Sequence, residues 1–306
     1  MKTTLKLLSL LLVGTFLSIF LLACGSIKED SHISKHVLSS ESNYPVKTPI
    51  PPTSAPAPKA SPTPSPVVYD IRGDLSNFDS SQKNSSDKWR KDIVESVRNG
   101  DYKNVFINGP TDKGKTVALT FDDCPDAKNT AKVLDILQSN NIKATFFMIG
   151  QNVSWFPTVT KRAYNEGNLV LSHSYTHPYL TQLKKDELIN ELTLTDNIIY
   201  KTIGKKPAII RPPYGDVNKD VIDLLNDKGY KTIIWSTDSL DWANPGNESN
   251  VSTNVLDNIR PGDIILMHGY KDVTVNALPG IIKQLKEKGY QFEKIDEMLG
   301  IEAYRQ

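Results

Sequence analysis

From residue 115 onward, short apolar runs alternate with amphipathic stretches. The runs cover 117–121, 144–149, 169–172, 208–211, 232–236, 264–267 and 291–295; each has strand length and polar or turn-forming flanks. Between them the spacing predicts helices over 129–138, 157–166, 186–202, 218–228, 251–258 and 278–288. In 186–202, Leu188, Leu192, Thr195 and Ile199 recur at spacings of three and four, and Gly204 marks the stop. Seven β segments alternating with α segments, the β segments mostly apolar, predict a parallel sheet covered by helices. The first strand ends in Asp122-Asp123, where a dinucleotide fold would need a Gly-rich phosphate loop. The expected fold is therefore α/β, with a seven-stranded (β/α) barrel favoured over an open sheet, across 115–306. A further helix is predicted over 87–97, where Trp89, Ile93 and Val97 stand four apart on one face. It belongs to a lead-in, 69–114, expected to pack on the outside of the barrel.

The first 68 residues carry a different pattern. Lys2 and Lys6 precede an uncharged run, 7–23, that closes in Leu22-Ala23-Cys24. A positive start, an apolar core and a small residue before the break make 1–23 a secretory signal peptide. An uncleaved membrane anchor is the alternative, because the run nears the ~20 residues that span a bilayer. A Cys directly after the small residue resembles the bacterial lipobox. That implies lipidation of Cys24 as the new N-terminus, with the protein held on the outer face of the cytoplasmic membrane, towards the cell wall. From 24 to 68 no folded element is predicted. The stretch 45–66 holds nine of the chain's 19 prolines, and such a chain extends at ~3.1 Å per residue, roughly 70 Å in all. A disordered tether is expected; a Pro-rich ligand for a partner domain is the rival reading. His32 and His36 fall here and are expected to be solvated.

Lys+Arg at 36 against Asp+Glu at 35 leave no basic excess for nucleic acid. The two cysteines, Cys24 and Cys124, are too few for a disulfide framework. A monomer is expected.

Ionisable and polar residues gather where the predicted strands end. Asp122, Asp123 and Cys124 follow the first strand, His173 and His177 the third, Arg211 and Tyr214 the fourth, Asp241 and Trp242 the fifth, and Leu266 and His268 the sixth. In an α/β barrel these ends share one rim. His173, His177 and His268 are the three histidines outside the N-terminal stretch, and all three lie there. His173 and His177 are i and i+4, which on a helical turn puts both imidazoles on one side, although Pro178 limits such a helix. With one carboxylate they supply three ligands and leave positions open, as catalytic zinc sites do. Asp122 and Asp123 leave the strand end in different directions. One can bind a metal while the other faces the water it activates, and a cation with Arg211 would keep both ionised. His268 can serve as an acid for a leaving amine.

In order and spacing these segments resemble the five motifs of the polysaccharide deacetylases, the NodB-homology group also called carbohydrate esterase family 4, over about 115–300. The resemblance implies an irregular, TIM-like (β/α) barrel, a divalent ion, zinc above all with Co²⁺ or another as alternatives, and an N-acetylated polysaccharide as substrate. By likeness Asp122 matches the general base, and Asp123, His173 and His177 match the metal ligands. Arg211 matches the residue that orients the base, and Tyr214 the position whose backbone N–H helps hold the oxyanion. Asp241 corresponds to an electrostatic support, Trp242 and Leu266 to the lining of the acetyl pocket, and His268 to the acid. Tyr175, Tyr179 and Trp155 are candidates to stack on sugar rings, with ordinary packing as the alternative for each. One position departs from the pattern: Cys124 stands where the family carries Gly. Such a Gly can serve a backbone with φ > 0, where another residue costs roughly 1–2 kcal/mol. A bland substitution, a thiolate competing for the metal and a redox-sensitive thiol are the three readings of the change.

The expected activity is removal of N-acetyl groups from cell-wall or chitin-like polysaccharide. Peptidoglycan is favoured by the anchor and tether, and the intact Asp122-Asp123 pair resembles the family members that act on N-acetylglucosamine. The alternatives are a wall-binding pseudoenzyme, a carbohydrate O-deacetylase acting on acetylated xylan, and a phosphoesterase, which would want more cations than Arg211.

Overall fold

The computed structural model describes residues 67–306. The signal peptide, Cys24, His32, His36 and the Pro-rich stretch lie outside the described residues. The chain opens with α1 (Ser80–Arg98), β1 (Val105–Phe106), β2 (Thr116–Cys124), α2 (Asn129–Ser139) and β3 (Thr145–Met148). It continues through α3 (Gly150–Trp155), α4 (Pro157–Asn165), β4 (Leu169–Ser172), α5 (Lys185–Ile203), β5 (Lys206–Pro207) and β6 (Ile209–Ile210). Then come α6 (Lys219–Asp227), β7 (Lys231–Ile233), β8 (Thr237–Asp238), α7 (Glu248–Leu256) and β9 (Asp263–His268). The last elements are α8 (Asp272–Glu287), β10 (Gln291–Phe292), α9 (Ile295–Leu299) and β11 (Tyr304–Arg305).

Neighbouring strands follow the order β1-β7-β6-β4-β3-β2-β9-β8, all parallel, with β10 also on β2, and β11 forms a separate antiparallel pair with β5. Two of the nine strands of this sheet go beyond the seven expected. β1 is a short addition, and the predicted run 232–236 divides. Its start forms β7 beside β6, while the chain just beyond it forms β8 beside β9. One stretch of chain thus joins the two ends of the sheet, which curls into an irregular α/β barrel. Polar side chains cause the switch: Ser236 Oγ and Thr237 Oγ1 donate to the Asp263 carboxylate on β9 at 2.7 and 3.0 Å.

The apolar runs separate by parity, as strands require. Val117, Leu119, Phe121, Phe146, Met148, Ile265 and Met267 pack against α2 and α8 residues such as Leu134 and Leu278. Ala118, Phe147, Ile264 and Leu266, one position out of step, join a second core with Leu192 of α5 and Ile222 of α6. Burial on both faces is why these strands are apolar throughout, and each large side chain so buried contributes on the order of 1.5–3 kcal/mol. Caps set the helix limits. α1 starts before the predicted 87 because Asp79 accepts the Ser81 and Gln82 amides at 2.8 and 2.9 Å, and Gln82 accepts the Asp79 amide in return. α5 closes at Gly204, whose φ of 71° is the left-handed stop expected there.

Candidate active site

β2 and β9 run in register from Val117 opposite Asp263 to Asp122 opposite His268. Strand pairing alone therefore brings Asp122 and His268 to the rim together. Asp122 is buried at 3 % exposure, and a carboxylate so placed needs a partner. Arg211, just past β6 and itself fully buried, supplies it. Its Nη1 donates to Asp122 Oδ1 at 2.7 Å and to Thr120 Oγ1 at 2.8 Å, and its Nη2 donates to Ile234 O at 2.9 Å. Burial pulls the Arg211 pKa below its usual value, and the Asp122 charge offsets only part of that.

Asp123 faces elsewhere. The pairing of β2 with β3 slips between Phe121 and Cys124, and Asp123 has φ of 64°, so the bulge re-aims its carboxylate. One ligand atom from each of Asp123, His173 and His177 lies within 4.8 Å of the others. Asp123 Oδ1 is 3.1 Å from His177 Nε2 and 3.4 Å from His173 Nε2, yet this buried oxygen accepts no hydrogen bond. Burial raises the Asp123 pKa, and the two imidazoles more than reverse that, holding it well below the usual carboxylate range. His173 Nδ1 sits 2.6 Å from Arg211 O. A carbonyl only accepts, so Nδ1 donates to it, and the ring is held with Nε2 facing Asp123. Two imidazole nitrogens beside a buried, unpartnered carboxylate oxygen fit a divalent cation such as zinc.

The imidazole pair is not on a helical turn. Residues 173–179 form a loop in which Ser174 and His177 have φ of 60° and 64°. Glu191 of α5 is the reason. Its carboxylate accepts the Tyr175 and Thr176 amides at 2.7 and 2.8 Å and the Thr176 hydroxyl at 2.8 Å, taking donors that a helix would use. Glu191 was not among the sequence candidates. The available signal was a carboxylate on the apolar face of α5, three residues after Leu188 and one before Leu192.

Across the cleft, Asp241 grips His268. The Asp241 carboxylate accepts the His268 amide at 2.6 Å, lies 2.7 Å from His268 Nδ1, and accepts the Thr274 hydroxyl at 2.5 Å. Burial disfavours the imidazolium, but the charge and hydrogen bond of Asp241, helped by Asp123 and Asp122, raise the His268 pKa to about 9. Asp238 nearby is pushed up to about 6 by burial, against the Leu240 amide and Arg90.

Asp122, Asp123, His173, His177, Asp238 and His268 line a cleft of ≈ 630 Å³ together with Leu266, Trp242, Tyr179, Tyr214 and Tyr270, and with Trp89 and Arg90 of α1. Tyr214 has φ of 61° and stacks on Tyr179 with centroids 4.1 Å apart. Of the three aromatics considered for sugar stacking, Tyr179 lines the cleft. Trp155 is exposed away from it, and Tyr175 packs over Gly150. Cys124 needs no left-handed backbone, since the positive φ falls on Asp123. Its thiol is buried where a Cβ on Gly269 would otherwise stand, 2.3 Å from Sγ. Burial pushes its pKa far up, which argues against a thiolate that competes for metal.

Comparison with known proteins identifies relatives of the chain. A family profile described as polysaccharide deacetylase matches residues 109–233. A peptidoglycan-N-acetylglucosamine deacetylase of Bacillus cereus is 40% identical over 196 residues, 63% of this chain and 70% of that protein. The chain belongs to the polysaccharide deacetylase family. A crystal structure of a peptidoglycan N-acetylglucosamine deacetylase superposes with a TM-score of 0.63 at 37% identity, covering 66% of this chain and 95% of that one. A carbohydrate esterase family 4 pseudoenzyme from Bacillus anthracis is similar too, with a TM-score of 0.60 at 32% identity over 63% of this chain and 68% of its own.

Proposed function

We propose that the protein is a metal-dependent hydrolase that removes N-acetyl groups from cell-wall polysaccharide, with peptidoglycan N-acetylglucosamine as the favoured substrate. The observation that carries the reading is the convergence on one cleft of Asp122 with Arg211, the Asp123, His173 and His177 cluster, and the Asp241–His268 pair. A divalent ion held by Asp123, His173 and His177, most simply Zn²⁺, would supply Lewis-acid polarisation of the acetamide carbonyl and of an attacking water. Arg211 holds the Asp122 carboxylate in place through its 2.7 Å hydrogen bond, so Asp122 takes the proton of that water. The Tyr214 backbone N–H stabilises the developing oxyanion. His268, protonated at neutral pH through Asp241, gives its proton to the departing nitrogen. Trp242 and Leu266 enclose the acetyl methyl.

The proposed setting is the outer face of the cytoplasmic membrane, with the N-terminus lipidated at Cys24, the domain tethered towards the wall, and a monomer as the acting unit. The family likeness to a pseudoenzyme makes a wall-binding module the second reading, and the complete set of ionisable groups in the cleft speaks for turnover. Acetate release from intact peptidoglycan, chitin oligomers and acetylated xylan, with chelator and with added divalent ions, tests the assignment. Release from peptidoglycan that chelator abolishes supports it. Binding of polymer without acetate release under any metal establishes the pseudoenzyme, and release from xylan alone an O-deacetylase.

A further inference from the structure

The residues between Arg72 and Val105 leave the barrel beside β8 and return beside β7. α1 lies in that stretch, and its Trp89 reaches the turn that follows β6. The indole Nε1–H donates to Gly215 O at 3.1 Å. A Cβ on Gly215 would stand 2.4 Å from the Trp89 ring, so ring and turn are in direct contact. Behind it Trp89 packs on Trp235, with centroids 5.3 Å apart.

This turn requires support. Tyr214 and Gly215 have consecutive positive φ values of 61° and 65°, and for Tyr214 that conformation is costly. Gly215 N donates to Pro212 O, Asp216 N donates to Pro213 O, and Thr181 donates to the Asp216 carboxylate. Of these contacts, only the indole reaches Gly215 O. Trp89 lies before the 109–233 segment that the family profile matches.

We propose that Trp89 is a positioning residue for deacetylation: from α1 its indole fixes the Tyr214–Gly215 turn, so that the Tyr214 backbone N–H points at the oxygen where charge develops. This rests on the deacetylase reading above. Oxyanion donors act through placement fixed before reaction, and small displacements lose rate while ground-state binding is kept.

The test uses the full chain loaded with metal. Trp89→Phe keeps the ring and removes the donor, and Trp89→Ala removes both. Expected are kcat losses of about 10-fold and about 10²-fold, with KM within about twofold and metal content unchanged. Affinity for a tetrahedral phosphonamidate analogue of the acetamide falls by the same factors as kcat/KM. Amide exchange over 214–216 quickens in both variants, and Lys91→Ala on the exposed side of the helix changes none of these. Wild-type kcat and analogue affinity in Trp89→Phe overturn the proposal. So does a kcat loss matched by loss of metal or of folded protein, which makes Trp89 a packing residue. If Trp89→Ala does not fold, Trp89→Phe still decides. Wild-type silence on every substrate and metal would instead sink the deacetylase reading, and unchanged amide exchange would separately sink the clamp.

Discussion

Asp122 and Asp123 are neighbours in sequence with separate surroundings, and single substitutions should separate them. Asp122→Asn keeps shape and hydrogen-bonding capacity but cannot take up a proton. Its metal content should stay at the wild-type level while acetate release falls by a factor on the order of 10² to 10⁴. Asp123→Asn should lose metal, and excess metal should restore part of its rate. Metal stoichiometry measured beside acetate release decides, and the opposite pattern exchanges the two roles. His268 offers a pH test. Its pKa in the folded protein, about 9, lies above the usual 6.5, so protonation favours the folded state. That stabilisation is complete below about pH 6.5 and is lost as pH rises through about 9. Asp241→Asn should move the His268 titration, followed by NMR in metal-free protein, down by at least about one unit. The thermal midpoints of wild type and variant should then converge above about pH 9. An unmoved titration removes Asp241 as the source of the shift. His268 and the Asp pair were legible in the sequence because they sit at the ends of apolar runs. Thr274 and Asp238 were not, since a hydroxyl within a helix and an acid within a polar cluster carry no periodic mark.

At the scale of elements, the pattern matches β2, β3, β4, β9 and α5, where one face or both are apolar, but it starts α8 at 278 instead of Asp272 and gives 291–295 wholly to a strand that ends at Phe292. It failed where polar contacts decide. The run 232–236 divides because Asp263 captures Ser236 and Thr237, and the His173–His177 spacing suggested a helical turn that Glu191 prevents. Glu191→Ala should therefore free the loop without unfolding α5. Metal affinity is expected to drop by about 10-fold to 100-fold, as for other lost supports of ligands, with the thermal midpoint of the metal-free protein changed little. Wild-type affinity in that variant would show that the loop holds its shape unaided. Cys124 belongs to the same scale, because its thiol fills the gap beside Gly269 between β2 and the end of β9. Cys124→Ala should cost about 1 kcal/mol through a small cavity and leave acetate release within about twofold. A large loss of turnover with full stability would give the thiol a role beyond packing.

For the whole molecule, composition and geometry bear on different halves of one problem. The described residues form a barrel whose cleft is walled partly by α1, which the sequence assigned to an outer lead-in because amphipathicity reveals a packed face and not its location. The proposed N-terminal arrangement comes from sequence alone: an apolar run ending at Cys24, then a Pro-rich stretch long enough to extend roughly 70 Å. If the substrate is an insoluble wall meshwork, this arrangement should matter for reaching the polymer and not for the chemistry. Cys24→Ala should move the protein from the membrane to the medium or leave it unprocessed, while the purified variant still releases acetate from soluble oligomers at the wild-type rate. Deleting 45–66 should keep the protein on the membrane, with equal activity on soluble oligomers but less deacetylation of the wall in intact cells. Fractionation locates each variant, and amino-sugar analysis of isolated wall reads the outcome in the cell. Normal processing and unchanged membrane retention of Cys24→Ala would remove the lipid anchor from the account. Undiminished wall deacetylation by the deletion variant would remove the tether's reach, and both results would leave the cleft chemistry where the barrel puts it.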